Sequence, residues 1–327
     1  MKMKIGFLSN KLTLRGTEVN LYDYADFSET LLGHKAIIIT RPYDHVRHVS
    51  PRDLHPQAYE KFNSRFPVEY YIQPSDVIQI VKKHAIDILY IEKAGSPSDG
   101  LVFNCCKTII HCVFLSKEPH GTLYTTISDF VNRFSKTSYP VLPYMVRVHE
   151  TTANMRDELG IPKDALVFGS YSGADEYNIQ YVKDVVSKVS TDPKYDNIYF
   201  IYMNIDKFGP ESSRLKFLPG TADMEQKRRF INTCDAMLYG RHNGETFGLA
   251  CGEFSVCGKP VVGKRGEQGD FHETTLGEKF IGHSTFEECY EIVTNWDQFK
   301  KDVKGNGYEA FSPERVMLNF QKHLNQL

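Results

Sequence analysis

The segment from Asp235 to Gly263 constrains the fold more than any other part of this chain. It contains a buried strand, Asp235–Tyr239, then a glycine turn that opens a helix, Gly244–Glu253, and then a second buried strand, Lys259–Gly263. Strand, helix and strand in this order predict a βαβ unit, which requires parallel strands and a right-handed crossover. The N–H groups in the first turn of such a helix lack intrahelical partners and carry the positive end of its dipole, so they suit a pyrophosphate.

The same alternation recurs along the chain. Residues 2–9 read as a strand, a helix follows from about Thr17 to Gly33, and Lys35–Thr40 reads as the next strand. A length of 327 residues fits about two domains. We therefore predict α/β domains at 1–150 and 151–311, and a C-terminal helix at 312–327.

Hydrophobic periodicity places the remaining predicted elements. The predicted strands are Ile86–Ile91, Thr108–Phe114, Ala165–Gly169 and Ile198–Met203. The predicted helices are Asp76–His84, a polar stretch through Arg156 and Glu158, Tyr177–Val189, Asp223–Asn232 and Pro313–Leu327.

Composition excludes several classes of function. A formal net charge of −2 gives no general affinity for nucleic acid, and no apolar run approaches the ~20 residues of an integral membrane segment. The seven cysteines form no C-x-x-C pairs, and no signal peptide is recognisable, which favours a cytoplasmic protein with reduced thiols. The sequence has no Asp-x-Asp pair, no G-x-G-x-x-G after the first strand, no Walker motif and no zinc-type His/Cys cluster.

Two segments carry a resemblance to a known family. Glu245 and Glu253, separated by seven residues and followed by Gly258-Lys259-Pro260-Val261-Val262, resemble the donor-binding core of retaining GT-B glycosyltransferases of group 1, family 4. The run Arg15–Ala25 resembles the glycine loop and first helix of that superfamily. Weaker matches cover Tyr90–Gly95, Ile110–Phe114 and Val141–Val146. The resemblance implies the GT-B fold, in which two Rossmann-like parallel-sheet domains face each other across a cleft. It also implies that the C-terminal helix, 312–327, crosses back to the first domain.

The resemblance also implies roles for individual residues. Glu245 is expected to contact the donor hexose, and Glu253 is expected to bind the ribose hydroxyls. Backbone groups for sugar and phosphate are expected from Thr246, Phe247, Gly248 and Leu249. Gly16 and Thr17 are expected to close over the phosphates.

This sequence departs from the family pattern at the bases that neutralise the pyrophosphate. The family places an Arg and a Lys near the first strand and helix of the second domain, whereas Phe168–Glu176 contains neither. Arg241 is our predicted substitute, because it follows a strand and precedes Glu245 by four residues. Lys264 and Arg265, after the next strand, are the alternatives.

In the first half, His111 follows the strand residues Thr108–Ile110, where the family often has a histidine that contacts the reacting sugar. A hydrogen-bonded core histidine is the alternative reading. Lys93 lies beyond a strand end and is a candidate for acceptor or phosphate binding. Weaker candidates are His120 with Gly121 for the same role, and Asn204 and Lys207 for the nucleotide base.

The sequence therefore predicts a glycosyltransferase that moves a hexose from a nucleotide diphosphate sugar to a glycan or other hydroxyl acceptor. Retention is the expected outcome, with Glu245 and His111 at the reacting sugar and no metal or other cofactor. If the enzyme inverts, His111 is the first candidate for the general base. Two alternatives stay open, a nucleotide-sugar-binding protein without turnover and a nucleotide-sugar epimerase of the same fold.

Overall fold

A computed structural model describes residues 2–48, 54–114, 117–210, 212–266, 270–300 and 307–327. The described residues form two compact units. One comprises the chain up to Met145 together with Ala310–Leu327, and the other comprises Val146–Glu309. Each unit is built on a six-stranded sheet in which all neighbouring strands are parallel.

The first unit contains the strands β1 Lys4–Leu8, β2 Lys35–Thr40, β3 Val68–Tyr70, β4 Ile88–Lys93, β5 Lys107–Cys112 and β6 Leu123–Thr126. They lie in the order β3-β2-β1-β4-β5-β6. The helices between them are α1 Gly16–Thr30, α2 Tyr43–Val46, α3 Pro56–Arg65, α4 Pro74–His84 and α5 Asp129–Ser135, and a 3-10 turn spans Pro97–Asp99.

Alternation along the strands gives the first sheet two apolar faces. Phe7 and Tyr90 lie on one face and pack their rings 5.3 Å apart, whereas Leu8 and Leu89 belong to the core on the opposite face with Val77 of α4. Successive side chains of a strand point to opposite faces, so nearly continuous apolar strands require helices on both sides. The sheet is accordingly covered on both faces.

The second unit contains β7 Leu166–Tyr171, β8 Ile198–Met203, β9 Leu215–Leu218, β10 Ala236–Leu238, β11 Val261–Lys264 and β12 Phe280–His283. Their order is β12-β11-β10-β7-β8-β9. The helices are α6 Gln180–Thr191, α7 Met224–Thr233, α8 Leu249–Val256, α9 Phe271–Leu276, α10 Phe286–Thr294 and α11 Trp296–Phe299. The 3-10 turns Pro193–Tyr195 and Gly277–Lys279 belong here, while Glu309–Phe311 spans the boundary between the units.

Strand order identifies one switch point in each sheet. The chain proceeds outward from β1 to one side and returns at β4 on the other side, and β7 and β10 have the same relation in the second sheet. Open parallel sheets bind ligands outside the carboxyl ends of the strands at such points. The loops after β1, β4, β7 and β10 are therefore the positions where a ligand is expected.

The C-terminal helix, α12 Pro313–Leu324, belongs to the first unit. Its Phe320 is fully buried and packs edge-on against Tyr24 of α1, with ring centroids 5.1 Å apart, and against Tyr90, at 5.9 Å. Asn319 donates to the carbonyl of Val141 at 2.9 Å. The last residues of the chain thus complete the core of the first unit.

The structure corrects one predicted element. Residues 155–160, through Arg156 and Glu158, form turns instead of a helix. Gly160 has a left-handed φ of +61°, and Pro162 follows it, so the chain cannot continue as a helix. The Arg156 guanidinium instead donates to carbonyls of the next segment, including that of Ala165 at 2.8 Å.

Helices within the described ranges are all too short or too polar to cross a membrane.

Substitution within α12 tests its packing. We expect Phe320→Ala to lower the free energy of unfolding of the first unit by about 3–5 kcal/mol, because a buried aromatic ring leaves a cavity. Leu318 is the matched control on the same helix, since it is 61% exposed, and Leu318→Ala should change stability by less than about 0.5 kcal/mol. Equal effects of the two variants in urea unfolding would contradict the packing described.

Candidate functional site

The loop after β10 owes its path to two glycines. Gly244 and Gly248 have φ angles of +66° and +77°, in the left-handed region that other residues rarely adopt. A Cβ atom on Gly244 would lie 1.9 Å from a carboxylate oxygen of Asp270, and one on Gly248 would lie 2.9 Å from the Cβ of His272. Both positions therefore require glycine for the loop to pass over α9.

This path turns Glu245 back toward the end of β10. Its carboxylate accepts hydrogen bonds from the Tyr239 hydroxyl at 3.1 Å and from Nη1 of Arg241 at 3.1 Å. Burial raises the pKa of Glu245 above its ordinary value, and the neighbouring Arg241 acts in the opposite direction. The side chain of Glu245 is still 20% exposed, so one edge of the carboxylate remains accessible to a ligand.

Arg241 lies between two carboxylates. Besides Glu245, it pairs with Glu176 at 3.3 Å, and the three side chains have similar exposures of 20–23%. One guanidinium faces two carboxylates, so their formal charges sum to −1. Arg241 is thus well placed to orient Glu245, and a phosphate in this position would have to share the guanidinium with both acids.

Aromatic packing holds the start of α8. The buried Phe247 stacks on Phe271, with centroids 5.1 Å apart, and its carbonyl accepts a hydrogen bond from the Tyr308 hydroxyl at 2.8 Å. Gly248 is the N-cap of α8, while Thr246 and Leu249 flank it half-buried. The predicted backbone donors therefore lie at the N-terminus of α8, at the carboxyl end of β10 beside the switch point.

Glu253 lies about one turn into α8, four residues after Leu249, and is buried, with 1% of the residue exposed. One carboxylate oxygen accepts from the ammonium of Lys227 at 2.6 Å, and the other accepts from the hydroxyl of Tyr171. Lys227 also lies 4.9 Å above the Tyr171 ring. Glu253 is thus held in place by one residue at the end of β7 and another on α7.

Lys227 was not among the residues predicted from sequence. It precedes Phe230 and Ile231, both buried, by three and four positions on α7, and this spacing places all three on one helix face. A lysine on the buried face of an amphipathic helix requires a carboxylate partner, and that was the signal available in the sequence. The structure thus places one base of the second unit beside Glu253.

The other predicted bases differ in their surroundings. Arg265 pairs with Glu288 at 3.1 Å, and both side chains are about half exposed. Lys264 lies 3.5 Å from His242, and its charge together with that of Arg241 opposes the rise that burial causes in the pKa of Asp270. Lys264 therefore shares the environment of Arg241, and Arg265 does not.

His272, which was not predicted from sequence, is a buried neutral imidazole behind this loop. Its ring lies 4.9 Å from that of Tyr239, and both ring nitrogens lack a hydrogen-bond partner among the described residues. Burial, followed by the charge of Arg241, lowers the pKa of His272 to about 3.

In the first unit, His111 is part of the core. It lies on β5, fully buried, and its Nδ1 shares a hydrogen bond with the hydroxyl of Tyr90. Burial lowers the pKa of His111 to about 3, so the imidazole is uncharged at neutral pH. On β4 its register partner is Glu92, whose pKa burial raises well above the ordinary value. The structure therefore places His111 in a buried polar cluster at the carboxyl ends of β4 and β5.

The remaining candidates lie at strand ends. Gly16 and Thr17 are the first residues of α1. The ammonium of Lys93 is buried and pairs with Asp99 at 2.5 Å and with His120 at 3.3 Å. These bonds fix Lys93 within the first unit.

Two candidates for the nucleotide base follow β8. Asn204 has a left-handed φ of +56° and donates to the carbonyl of Ser172 at 2.7 Å. Lys207 is exposed. Asn204 thus ties the end of β8 to the loop after β7, at one edge of the switch point.

No protein-family model and no curated protein matches this sequence. Solved structures match it over nearly its full length. The Anabaena protein Alr3699/HepE in complex with UDP-glucose is 16% identical with a TM-score of 0.75, and the match covers 99% of this chain and 100% of that one. Sucrose-phosphate synthase from Thermosynechococcus elongatus is 13% identical with a TM-score of 0.68, and 99% of each chain is covered.

A glycosyltransferase from Rickettsia africae ESF-5 is 13% identical with a TM-score of 0.66, and the match covers 99% of this chain and 97% of that one. At these identities the comparisons establish the architecture. Together with the two six-stranded parallel sheets, they show that this chain has the GT-B fold of two Rossmann-like domains, as the sequence predicts.

Acid sensitivity tests the environment of His272. Because folding lowers its pKa from 6.5 to about 3, the unfolded chain takes up the proton first as pH falls below 6.5, and stability is lost over that range. Between pH 6.5 and 5 this histidine should account for about 1.5–2 kcal/mol of lost unfolding free energy. We expect His272→Phe to remove that part of the pH dependence in urea unfolding, and an unchanged pH slope would contradict the assignment.

Proposed function

We propose that this protein is a glycosyltransferase that moves a hexose from a nucleotide diphosphate sugar to a hydroxyl acceptor. The observation that carries the proposal is the pair of glutamates on the Gly244–Glu253 element. Glu245 is fixed ahead of the N-terminus of α8 by Tyr239 and Arg241, and Glu253 is fixed about one turn inside α8 by Lys227. The spacing suits a sugar at one end and a ribose at the other, with the diphosphate between them.

The donor we propose is a uridine diphosphate sugar. The Anabaena structures with UDP-glucose, and with UDP and glucose, have the same fold as this chain over 99% of its length, which supports uridine as the base. We further propose retention and no metal requirement, following the resemblance in the Glu245–Glu253 motif. The reaction would break the bond between the anomeric carbon and an oxygen of the β-phosphate, and would form the new bond to the acceptor oxygen on the same face. The nucleotide diphosphate would leave, and its β-phosphate would take up the proton of the acceptor hydroxyl.

The N-terminus of α8 supplies the main electrostatic contribution in this proposal. Its first-turn N–H groups are fixed by the packing of Phe247 before any substrate binds, and preorganised donors stabilise charge that develops on a leaving group. Arg241 and Lys264 add positive charge beside them. Glu176 and Glu245 offset the positive charge of Arg241. We therefore propose that Arg241 mainly positions Glu245 and contributes only partly to binding the phosphates.

Glu253 retains capacity for a ribose although both of its oxygens are engaged. A carboxylate offers about four acceptor positions, and Lys227 and Tyr171 use two of them. A diol in contact with the carboxylate would take the others. Lys227 then has a defined role, which is to hold Glu253 in a single orientation.

One observation favours a second candidate, a nucleotide-sugar-binding protein without turnover. If the two carboxylates beside Arg241 keep it from the diphosphate, the leaving group loses its principal cation. Binding through Glu253 and the first turn of α8 would persist, but departure of the nucleotide would be slow.

Separate substitution of the two glutamates tests the proposal. We expect Glu253→Gln to weaken UDP binding by about tenfold or more, as expected for hydrogen bonds to a charged group. Glu245→Gln should leave UDP affinity within about threefold and slow consumption of UDP-glucose by about 100-fold or more, because it acts at the sugar. Titration calorimetry measures the first effect, and NMR of UDP-glucose turnover with an acceptor panel measures the second.

The exposed Glu291 on α10 provides the matched control, and Glu291→Gln should change neither quantity. Thermal melting of each variant separates loss of binding from loss of folding. Failure of the intact protein to bind UDP or UDP-glucose would refute the proposed donor, and failure to bind UDP, GDP, ADP, CMP and their sugars alike would refute both candidates. Binding without sugar release or transfer would favour the protein without turnover, and an epimerised sugar formed without acceptor would identify an epimerase.

A further inference from the structure

A fixed guanidinium lies at the carboxyl ends of the strands of the first sheet. Arg41 directly follows β2 and lies over the ring of the buried Tyr71, with 4.8 Å between the guanidinium carbon and the ring centroid. Nη1 of Arg41 donates to the carbonyl of Ile72 at 2.6 Å and contacts Nε2 of His45 at 3.3 Å. These contacts hold the guanidinium plane in one orientation.

The contacts of Arg41 with the Ile72 carbonyl and with His45 both use Nη1, and a hydrogen-bonding interaction with the Tyr71 hydroxyl opposes the rise that burial causes in the pKa of Tyr71. Planar recognition of a carboxylate or phosphate uses two N–H groups of one guanidinium edge, and the edge formed by Nε and Nη2 makes no contact with Ile72 or His45. In the described ranges no carboxylate pairs with Arg41. Asp99, the acid that affects the neighbouring Tyr71, is engaged by Lys93 at 2.5 Å.

Asn10 extends this arrangement across the sheet. It follows β1, which lies beside β2, and its side-chain oxygen accepts from the hydroxyl of Tyr71 at 2.6 Å. The amide NH₂ of this exposed residue is therefore directed away from Tyr71 as a donor. Asn10, Arg41 and Tyr71, which we call the Arg41 cluster, connect the ends of three adjacent strands.

The next arginine along the chain, Arg47, is an ordinary surface base and provides a comparison for Arg41. Arg47 is 52% exposed and pairs with Asp44, itself 81% exposed, at 3.1 Å. Arg41, by contrast, is half-buried, stacked on an aromatic ring and anchored by a main-chain carbonyl. Ordering a long side chain costs conformational entropy, and such a constraint is typical of a binding residue.

We propose that the Arg41 cluster binds an anionic group, a phosphate or a carboxylate, on the acceptor. The inference rests on the proposed function, which places the donor on the second unit and leaves the strand ends of the first sheet for the acceptor. The cluster adjoins β1, one strand of the switch point where a parallel sheet binds its ligands. The acceptor is accordingly a hydroxyl compound such as a sugar phosphate or a uronic acid, and not a neutral sugar.

Binding of three small probes to the full chain tests this inference. Glucose 6-phosphate, glucuronate and glucose share a hydroxylated ring and differ in the anionic group. By ligand-observed NMR titration we expect at least one anion to bind about tenfold more tightly than glucose, the size of a charge-assisted hydrogen bond. Preference for the phosphate or for the carboxylate identifies which group the acceptor carries.

Substitution of Arg41 and of Arg47 tests which arginine causes the preference for the anion over glucose. Arg41→Gln should abolish the preference for the anion, and Arg41→Lys should keep part of it, because charge remains while the planar fork is lost. Arg47→Gln should behave as the intact protein. Equal binding of the anions and glucose, or equal losses in Arg41→Gln and Arg47→Gln, would overturn the inference.

UDP titration of the same samples separates this inference from the proposed function. UDP binding without any preference for an anion means that the acceptor assignment fails while the donor assignment stands. An anion preference that depends on Arg41, without UDP binding, supports an anion site and refutes the proposed uridine diphosphate donor.

Discussion

The candidate site depends on a backbone constraint between β10 and α8. Two left-handed glycines let the loop double back over Asp270 and His272, and this alone brings Glu245 within hydrogen-bond distance of Tyr239 and Arg241. A left-handed conformation costs a residue with a side chain about 1–2 kcal/mol, and at Gly244 a Cβ would also overlap the Asp270 carboxylate. The position of Glu245 thus follows from the absence of two Cβ atoms.

Ion pairs then hold Glu245 and Glu253 in place. Glu253 is paired with Lys227, and Glu245 with Arg241, so each carboxylate is oriented before a ligand arrives. Removal of one partner from a buried pair costs about 3–5 kcal/mol, mainly because a charge is left unpaired. These ion pairs fix the orientations of the two carboxylates, but they add little net positive charge to the candidate site. The N-terminus of α8 is therefore the principal attraction for a diphosphate.

Much of the fold could be predicted from periodicity. Lys35–Thr40 and Ile198–Met203 have the predicted bounds, because interior parallel strands read as continuous apolar runs. All four strands that were not predicted, β3, β6, β9 and β12, are sheet edges of three or four residues. Such strands are short and often partly exposed, and they leave too little pattern to recognise.

The site was predictable only where its residues are adjacent in sequence. The Glu245–Glu253 motif lies within one turn and helix, so its placement at the N-terminus of α8 follows from local order. Lys227 of α7 meets Glu253 of α8 from 26 positions away, and Tyr71, after β3, meets Asn10, after β1, from 61 positions away. Such pairs depend on strand order, which periodicity does not specify.

The central claim is that the first turn of α8 binds the diphosphate of a nucleotide. Amide NMR of the ¹⁵N-labelled protein during UDP titration tests it most directly. The account predicts saturable shifts centred on Gly248, Leu249 and Ala250, with further shifts at Glu253. Saturable UDP binding that leaves these amides unchanged and shifts another set would contradict it.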